Sequence, residues 1–218
     1  LFLDNYSVAI PYLCIKGVEK YITLNNINDS KEIIKTKLSS IHAGILFISN
    51  MLFLYDSINI DAWKLCLLYS AIYNASDMVY LYYSDIKIKA QLLFHHFMLI
   101  TCILPIVYEP LYYLVETSPI YNTLVASNFL CEITTIPLNI SWILYARNKQ
   151  DTFEFKIASL STILLYIPFR VMLTTYLSYR AYNIETNLRF FQFLLSALNY
   201  YWFCKMVQKV YRIKNRQD

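Results

Sequence analysis

Long apolar runs broken by short charged stretches make up almost the whole chain. A bilayer core of ~30 Å is crossed by about 20 predominantly apolar residues in a helix. Six segments have that length: roughly Leu38–Asp56, Trp63–Ser84, Ala90–Tyr108, Ile120–Ala146, Phe155–Tyr179 and Leu188–Tyr211. A seventh run, Leu3–Val18, is shorter and interrupted by Asp4 and Pro11, which leaves an N-terminal span open. No small-residue cleavage site precedes the charged stretch Glu19–Lys37, so no cleavable signal peptide is expected. The pattern predicts an all-α polytopic transmembrane helical bundle with six spans and a candidate seventh. Residues 1–34 form the candidate span and a cytoplasmic loop, 35–212 the membrane domain, and 213–218 a short basic tail.

Composition agrees with this reading. Of 218 residues, 57% are apolar and only 16% charged, against about 25% in ordinary soluble domains. Two glycines and six prolines leave no room for a flexible linker. The net charge of +4 comes from short loops rather than one basic stripe, which argues against nucleic acid as a partner. Cys14, Cys66, Cys102, Cys131 and Cys204 are odd in number and lack CxxC spacing, so buried thiols are expected rather than disulfides.

Basic residues also set an orientation. Threaded through six spans, fifteen Lys and Arg fall on one side, among them Lys31, Lys35, Lys87, Lys89, Arg147 and Lys205. The other side receives Lys64, Arg180 and Arg189. The positive-inside rule places the rich side, and with it the C-terminus, in the cytoplasm. Asn28-Asp29-Ser30 is a glycosylation acceptor on that side, and a glycan there would reverse the assignment. Glu109–Glu116 reads as an interfacial or re-entrant piece on the opposite face. Many of the 21 tyrosines, such as Tyr82, Tyr83, Tyr108 and Tyr179, fall near span ends, where aromatic side chains anchor a helix in the interface.

All three histidines sit inside apolar, membrane-length segments, two of them adjacent: His42, His95 and His96. A titratable group in hydrocarbon is costly and is therefore a functional-site candidate. With the orientation above, His42, Asp77, His95, His96, Asn139 and Asn199 all fall roughly 6–11 Å below the cytoplasmic interface at about 1.5 Å per residue. Glu132 and Arg170 lie deeper. Polar residues from five helices at one depth predict the wall of a lipid-accessible cavity. Each is weighed against interhelical glue, worth about 0.6 kcal/mol per contact. Glue suits Asn139 and Asn199 as well as a cavity does, and a structural ion pair suits Glu132 and Arg170. Adjacent helical residues point about 100° apart, so His95 and His96 cannot both face one point. Three histidines and an aspartate form a thin metal set without HxxxH spacing, so no metal is expected.

The order of these residues resembles a known family. His42 opens one span and Asp77 follows in Tyr73-Asn74-Ala75-Ser76-Asp77. Then come Phe94-His95-His96 and the string from Cys131-Glu132 through Pro137, Asn139 and Trp142. Pro168-Phe169-Arg170 and Leu198-Asn199-Tyr200-Tyr201-Trp202 complete the series. The arrangement is similar to the TLC domain, the membrane module shared by ceramide synthases, a translocon-associated protein and a ceroid-lipofuscinosis protein. It covers about Lys35 to Arg212.

The resemblance implies lipid metabolism or lipid homeostasis in an endoplasmic-reticulum membrane, with membrane lipids as partners and no bound cofactor. Its enzymatic form is acyl transfer, with acyl-CoA as co-substrate and a lipid amine or hydroxyl as acceptor. His95 or His96 would then be general base or acyl carrier, Asp77 its orienting carboxylate, and His42 an assistant in proton transfer. Glu132, Asn139, Trp142, Arg170 and Asn199 would line the cavity. Lys87 and Lys89 would attract the CoA phosphates, although topology alone also accounts for them. No histidine follows His96 and the next span offers only Glu132 as an acid, which points away from ceramide synthases toward the uncharacterised branch; Ser141 departs from that branch in turn, whose members commonly place arginine before the tryptophan. The alternatives are a lipid-binding or lipid-sensing protein without turnover, and a trafficking or translocation factor for membrane proteins.

Overall fold

The computed structural model describes residues 5–25, 29–84, 89–108, 119–182 and 188–214. Asn28, Lys87, the Glu109–Glu116 piece and the end of the basic tail lie outside the described residues. Helices account for the fold, and no strand occurs among the described residues. They are α1 (Asn5–Asn25), α2 (Lys31–Leu54), α3 (Ile60–Tyr82), α4 (Lys89–Val107) and α5 (Pro119–Phe129). A 3₁₀ turn, Leu130–Thr134, leads into α6 (Thr135–Ala146). Next come α7 (Phe153–Tyr166), a π-helical segment (Ile167–Met172), α8 (Leu173–Tyr182) and α9 (Leu188–Lys214).

Local chemistry sets the ends. Ser30, Asn59 and Thr152 each accept a hydrogen bond from the backbone N–H three residues on, capping α2, α3 and α7. Two proline-bearing stretches depart from α geometry rather than merely bending. Pro137 lacks the N–H owed to residue 133, and the chain tightens into the 3₁₀ turn just before it. Pro168 sits at the start of the π-helical segment, a form that recurs at functional positions.

Four stretches are long and apolar enough to cross a bilayer: Lys31–Leu54, Ala90–Val107, Ile120–Ala146 and Phe153–Tyr182. The sequence reading expected six. Helices α3 and α9 have the length, at 23 and 27 residues, but not the composition. Asn74, Asp77 and Lys64 with several tyrosines lower α3, and Gln192, Asn199 and Lys205 do the same for α9. Helix α1 packs on α2 and α3 and runs to Asn25, past the expected end of the N-terminal run and into the stretch read as loop.

The distribution of side chains is that of a membrane protein. Ile41, Ile45, Ile48 and Leu52 form an exposed stripe along α2, and Ile157, Leu160 and Leu164 form another on α7. His42, Asn50, Asn74, Glu132, Arg170 and Asn199 are buried. Apolar stripes outside and polar groups inside suit a hydrocarbon solvent. One apolar cluster joins α2, α3, α4 and α5 around Trp63, Leu67, Ile103 and Phe129. Trp63 is fully buried, stacks on Phe53 at 4.0 Å and donates its indole N–H to Asn50 Oδ1. A smaller cluster, including Ile15, Ile34, Leu38 and Tyr73, seats α1 near the lysine-rich end. Tyr82, Tyr83 and Tyr179 stand exposed at helix ends. The five cysteines are unpaired, and Cys14 and Cys204 are exposed on helix surfaces rather than buried as expected.

Asp29 clasps the lysine-rich end. Its carboxylate accepts from Lys37 Nζ at 2.6 Å on α2 and from the Arg147 guanidinium after α6. These two hydrogen bonds, Lys37 first, hold the carboxyl below its ordinary range. A depressed carboxylate stabilises the fold above its unfolded value and loses that contribution as pH falls through the lower folded one. The stability difference between wild type and Asp29→Asn, about 0.2–1 kcal/mol, should therefore stay level from neutral pH down to about 3.8 and close only below it. Unfolding midpoints across that range test this, and a gap that closes above pH 5 would contradict the clasp.

Candidate functional site

Two polar groupings meet where α3, α4, the 3₁₀ turn, the π-helical segment and α9 come together. The first is a dyad. His96 Nε2 lies 3.0 Å from Asp77 Oδ2, linking α4 to α3. Both side chains keep a little access, 13% for His96 and 17% for Asp77. The carboxylate takes up Nε2, while His96 Nδ1 is buried without a hydrogen-bond partner among the described residues. With Nε2–H directed to Asp77, Nδ1 carries a lone pair and can accept a proton.

The second grouping is built on Arg170, presented by the π-helical segment. Its Nε donates to Thr134 Oγ1 at 2.7 Å and its Nη1 to Asn199 Oδ1 at 3.3 Å. Nη2 donates to Glu132 Oε1 at 3.3 Å and to Thr135 Oγ1 at 3.0 Å. Thr135 Oγ1 in turn donates a hydrogen bond to Glu132 Oε2 at 2.9 Å. The guanidinium also lies 5.8 Å from the centre of the Tyr166 ring, whose hydroxyl donates to Asn199 O. An intramembrane charge is tolerated when so compensated. The 3₁₀ turn and the π-helical segment each contribute one member of the ion pair.

His95 joins the two groupings. Its ring centroid is 5.6 Å from that of His96 and 5.4 Å from that of Trp202, an edge-on contact in the latter case. Its Nε2 is 3.9 Å from Glu132 Oε1, too long for a hydrogen bond. Its Nδ1, like that of His96, finds no partner among the described residues. The two rings thus divide the roles that their adjacency left open. His96 belongs to Asp77, and His95 to Glu132 and Trp202.

Other expected site residues lie elsewhere. His42 stacks on Tyr73 at 3.8 Å and contacts Ser70 Oγ at 3.1 Å, so it is packed between α2 and α3. Asn139 donates to Thr36 O and Ser40 Oγ, which ties α6 to α2. Trp142 is 41% exposed on α6, ten residues beyond Glu132, and not a wall of this site. Asn139 shares the Glu132 face but lies two turns further along, about 10 Å away at about 1.5 Å per residue, and Trp142 lies three residues beyond it. The sequence reading missed Thr134, Thr135, Tyr166 and Trp202. Three were signalled by spacing, since Thr135 follows Glu132 by three residues, Tyr166 precedes Arg170 by four and Trp202 follows Asn199 by three; Thr134, two residues after Glu132, carried no such signal. No group of three or more His, Cys, Asp or Glu positioned to hold a metal occurs among the described residues.

Comparison with known families decides the relationship. The family model for the TLC domain matches residues 36–208. The chain belongs to the TLC-domain family. That stretch runs from the first turns of α2 into α9, so it includes every member of both groupings and leaves α1 outside. Membership and the apolar helices make this an integral membrane protein, and membership is consistent with a lipid-related role. No curated protein matches the chain.

Proposed function

We propose that this TLC-domain protein acts in lipid metabolism or homeostasis by transferring an acyl group from acyl-CoA to a lipid amine or hydroxyl. The observation that carries this reading is the His96–Asp77 dyad at 3.0 Å with Nδ1 uncommitted. In the reaction, the acceptor nitrogen or oxygen attacks the thioester carbonyl and its proton passes to His96 Nδ1. The tetrahedral intermediate then expels the CoA thiolate, which takes that proton back from His96. The C–S bond breaks, a C–N or C–O bond forms, and no redox partner is required. The lysine-rich end supports a cytoplasmic entry for acyl-CoA and a cytoplasmic C-terminus, and family membership supports residence in an endoplasmic-reticulum membrane. The lack of a histidine after His96 supports the non-synthase branch of the family.

A second reading is lipid binding without turnover. Glu132, the acid on the span after the histidine pair, is engaged by Arg170 and Thr135 rather than left for proton transfer. Membranes containing wild type, His95→Ala or His96→Ala, given labelled acyl-CoA and a sphingoid base, separate the two. A labelled product from wild type that disappears with His96→Ala at equal expression is expected. No product from wild type removes the acyltransferase reading, and an undiminished product from His96→Ala removes the dyad from it.

A further inference from the structure

At the lysine-rich end, α9 outruns the helix beside it. Trp202 of α9 stands level with His95 of α4, in edge contact at 5.4 Å. From there α4 has only the six residues Lys89–Phe94 left to its start, whereas α9 continues for the twelve residues Phe203–Lys214. The surplus amounts to about 9 Å at about 1.5 Å per residue. The π-helical segment and α8 meet α9 on the other side of Trp202, through Asn199, Ser196 and Gln192. Beyond Trp202, the side chains of Cys204, Lys205, Val207 and Gln208 are exposed. The family model ends at residue 208, so most of this extension lies outside the shared module.

Its sequence is patterned. Lys205, Lys209 and Arg212 recur at the four- and three-residue spacing of one helical face, and Met206, Val210 and Ile213 repeat that spacing one residue later. A basic register therefore runs beside an apolar one. The Lys205 ammonium lies 5.4 Å from the centre of the Tyr201 ring, an aromatic of the kind that sits at headgroup level. No Asp or Glu occurs from Leu188 to Gln217. Elsewhere at this end several basic residues are answered by the protein itself: Lys16 and Lys35 by Glu19, Lys37 and Arg147 by Asp29. The positive-inside rule accounts for basic residues in either place, but acids count little in it, so it leaves the acid-free helix end unexplained. We propose that this end of α9 is a binding surface for anionic phospholipid headgroups, with its apolar register in the acyl boundary and its basic register on the phosphates. A bilayer surface offers both layers side by side, whereas a soluble polyanion offers the charge alone. The inference rests on the proposed cytoplasmic C-terminus, which faces the anionic leaflet, and not on acyl transfer.

The test places the purified full chain in phosphatidylcholine nanodiscs with a trace of spin-labelled phosphatidylserine or, separately, spin-labelled phosphatidylcholine. The motionally restricted fraction of each label is read. Wild type should restrict phosphatidylserine about fivefold more than phosphatidylcholine at low salt, and lose most of that preference in about 0.5 M NaCl. Lys205→Gln, Lys209→Gln and Arg212→Gln combined should bring the ratio close to one. Changing the exposed Lys20, Lys149 and Lys156 to Gln instead removes the same charge and should keep most of the preference. Equal restriction of the two lipids by wild type overturns the proposal, and so does a preference that survives the α9 variant. A preference reduced alike by both triple variants also overturns it, since the whole basic rim would then hold the lipid. Both faces of the nanodisc carry the same lipids, so this reading does not depend on orientation. Protease protection of a C-terminal tag in sealed microsomes reads the orientation separately, and a protected tag would overturn the cytoplasmic leaflet as the partner.

Discussion

On the proposed acyl-transfer mechanism, Asp77→Asn should lower turnover by about 10²–10⁴-fold while the protein remains folded. The carboxylate of Asp77 only accepts hydrogen bonds, so at 3.0 Å it selects the His96 tautomer with Nε2–H and leaves Nδ1 free for a proton. An amide is nearly the same size but presents N–H as readily as oxygen. Its N–H directed at Nε2 would select the other tautomer and block Nδ1. It also brings no charge to stabilise the imidazolium that forms in the reaction. Asp77 acts through His96, so the loss should fall on turnover, with acyl-CoA binding unchanged and the pH–rate profile altered. Asp77→Glu, which restores the charge at a different reach, should recover part of the activity. A wild-type rate and pH profile in Asp77→Asn, measured with labelled acyl-CoA, would show that the carboxylate is only glue between α3 and α4.

Legibility of this protein in its sequence followed the kind of information each feature needs. Apolar run length placed the helices, since a segment such as Ile120–Ala146 has no soluble alternative of similar economy. It placed their ends less well. The run opening at Leu38 becomes a helix from Lys31, because Ser30 caps it and charged turns extend past the apolar part. Polarity inside an apolar run picked out His95, His96, Asp77, Glu132, Arg170 and Asn199, because each is expensive in a bilayer. Depth also admitted His42 and Asn139, and the family resemblance admitted Trp142; their contacts and exposure place all three elsewhere. Partners were the unreadable part. Two adjacent histidines at one depth look alike in sequence, and only the rotation of α4 against α3 and α9 gives His96 to Asp77 and His95 to Glu132. Pro168 marked an irregular helix, but a π-helical insertion that aims Arg170 at Asn199 and Thr134 has no pattern of its own.

The largest stability effect should come from Arg170→Leu, with a loss of about 3–5 kcal/mol. Arg170 is 5% exposed and its hydrogen bonds reach the 3₁₀ turn, α6 and α9, so its removal strands Glu132 in a water-poor interior. Most of that loss is the uncompensated carboxylate rather than the worth of the pair, because desolvating two charges offsets much of their attraction. Glu132→Leu in the same chain should therefore restore a large part of the stability, and the double variant should be steadier than Arg170→Leu alone. The two effects must be non-additive, as contacting residues in one network are. Thr135 adds to this coupling, since it accepts from Arg170 and donates to Glu132. Unfolding in mixed micelles at rising SDS, compared across wild type, both single variants and the double, measures the coupling. Simple additivity would mean that Glu132 and Arg170 are satisfied separately and that the ion pair does not join the 3₁₀ turn to the π-helical segment.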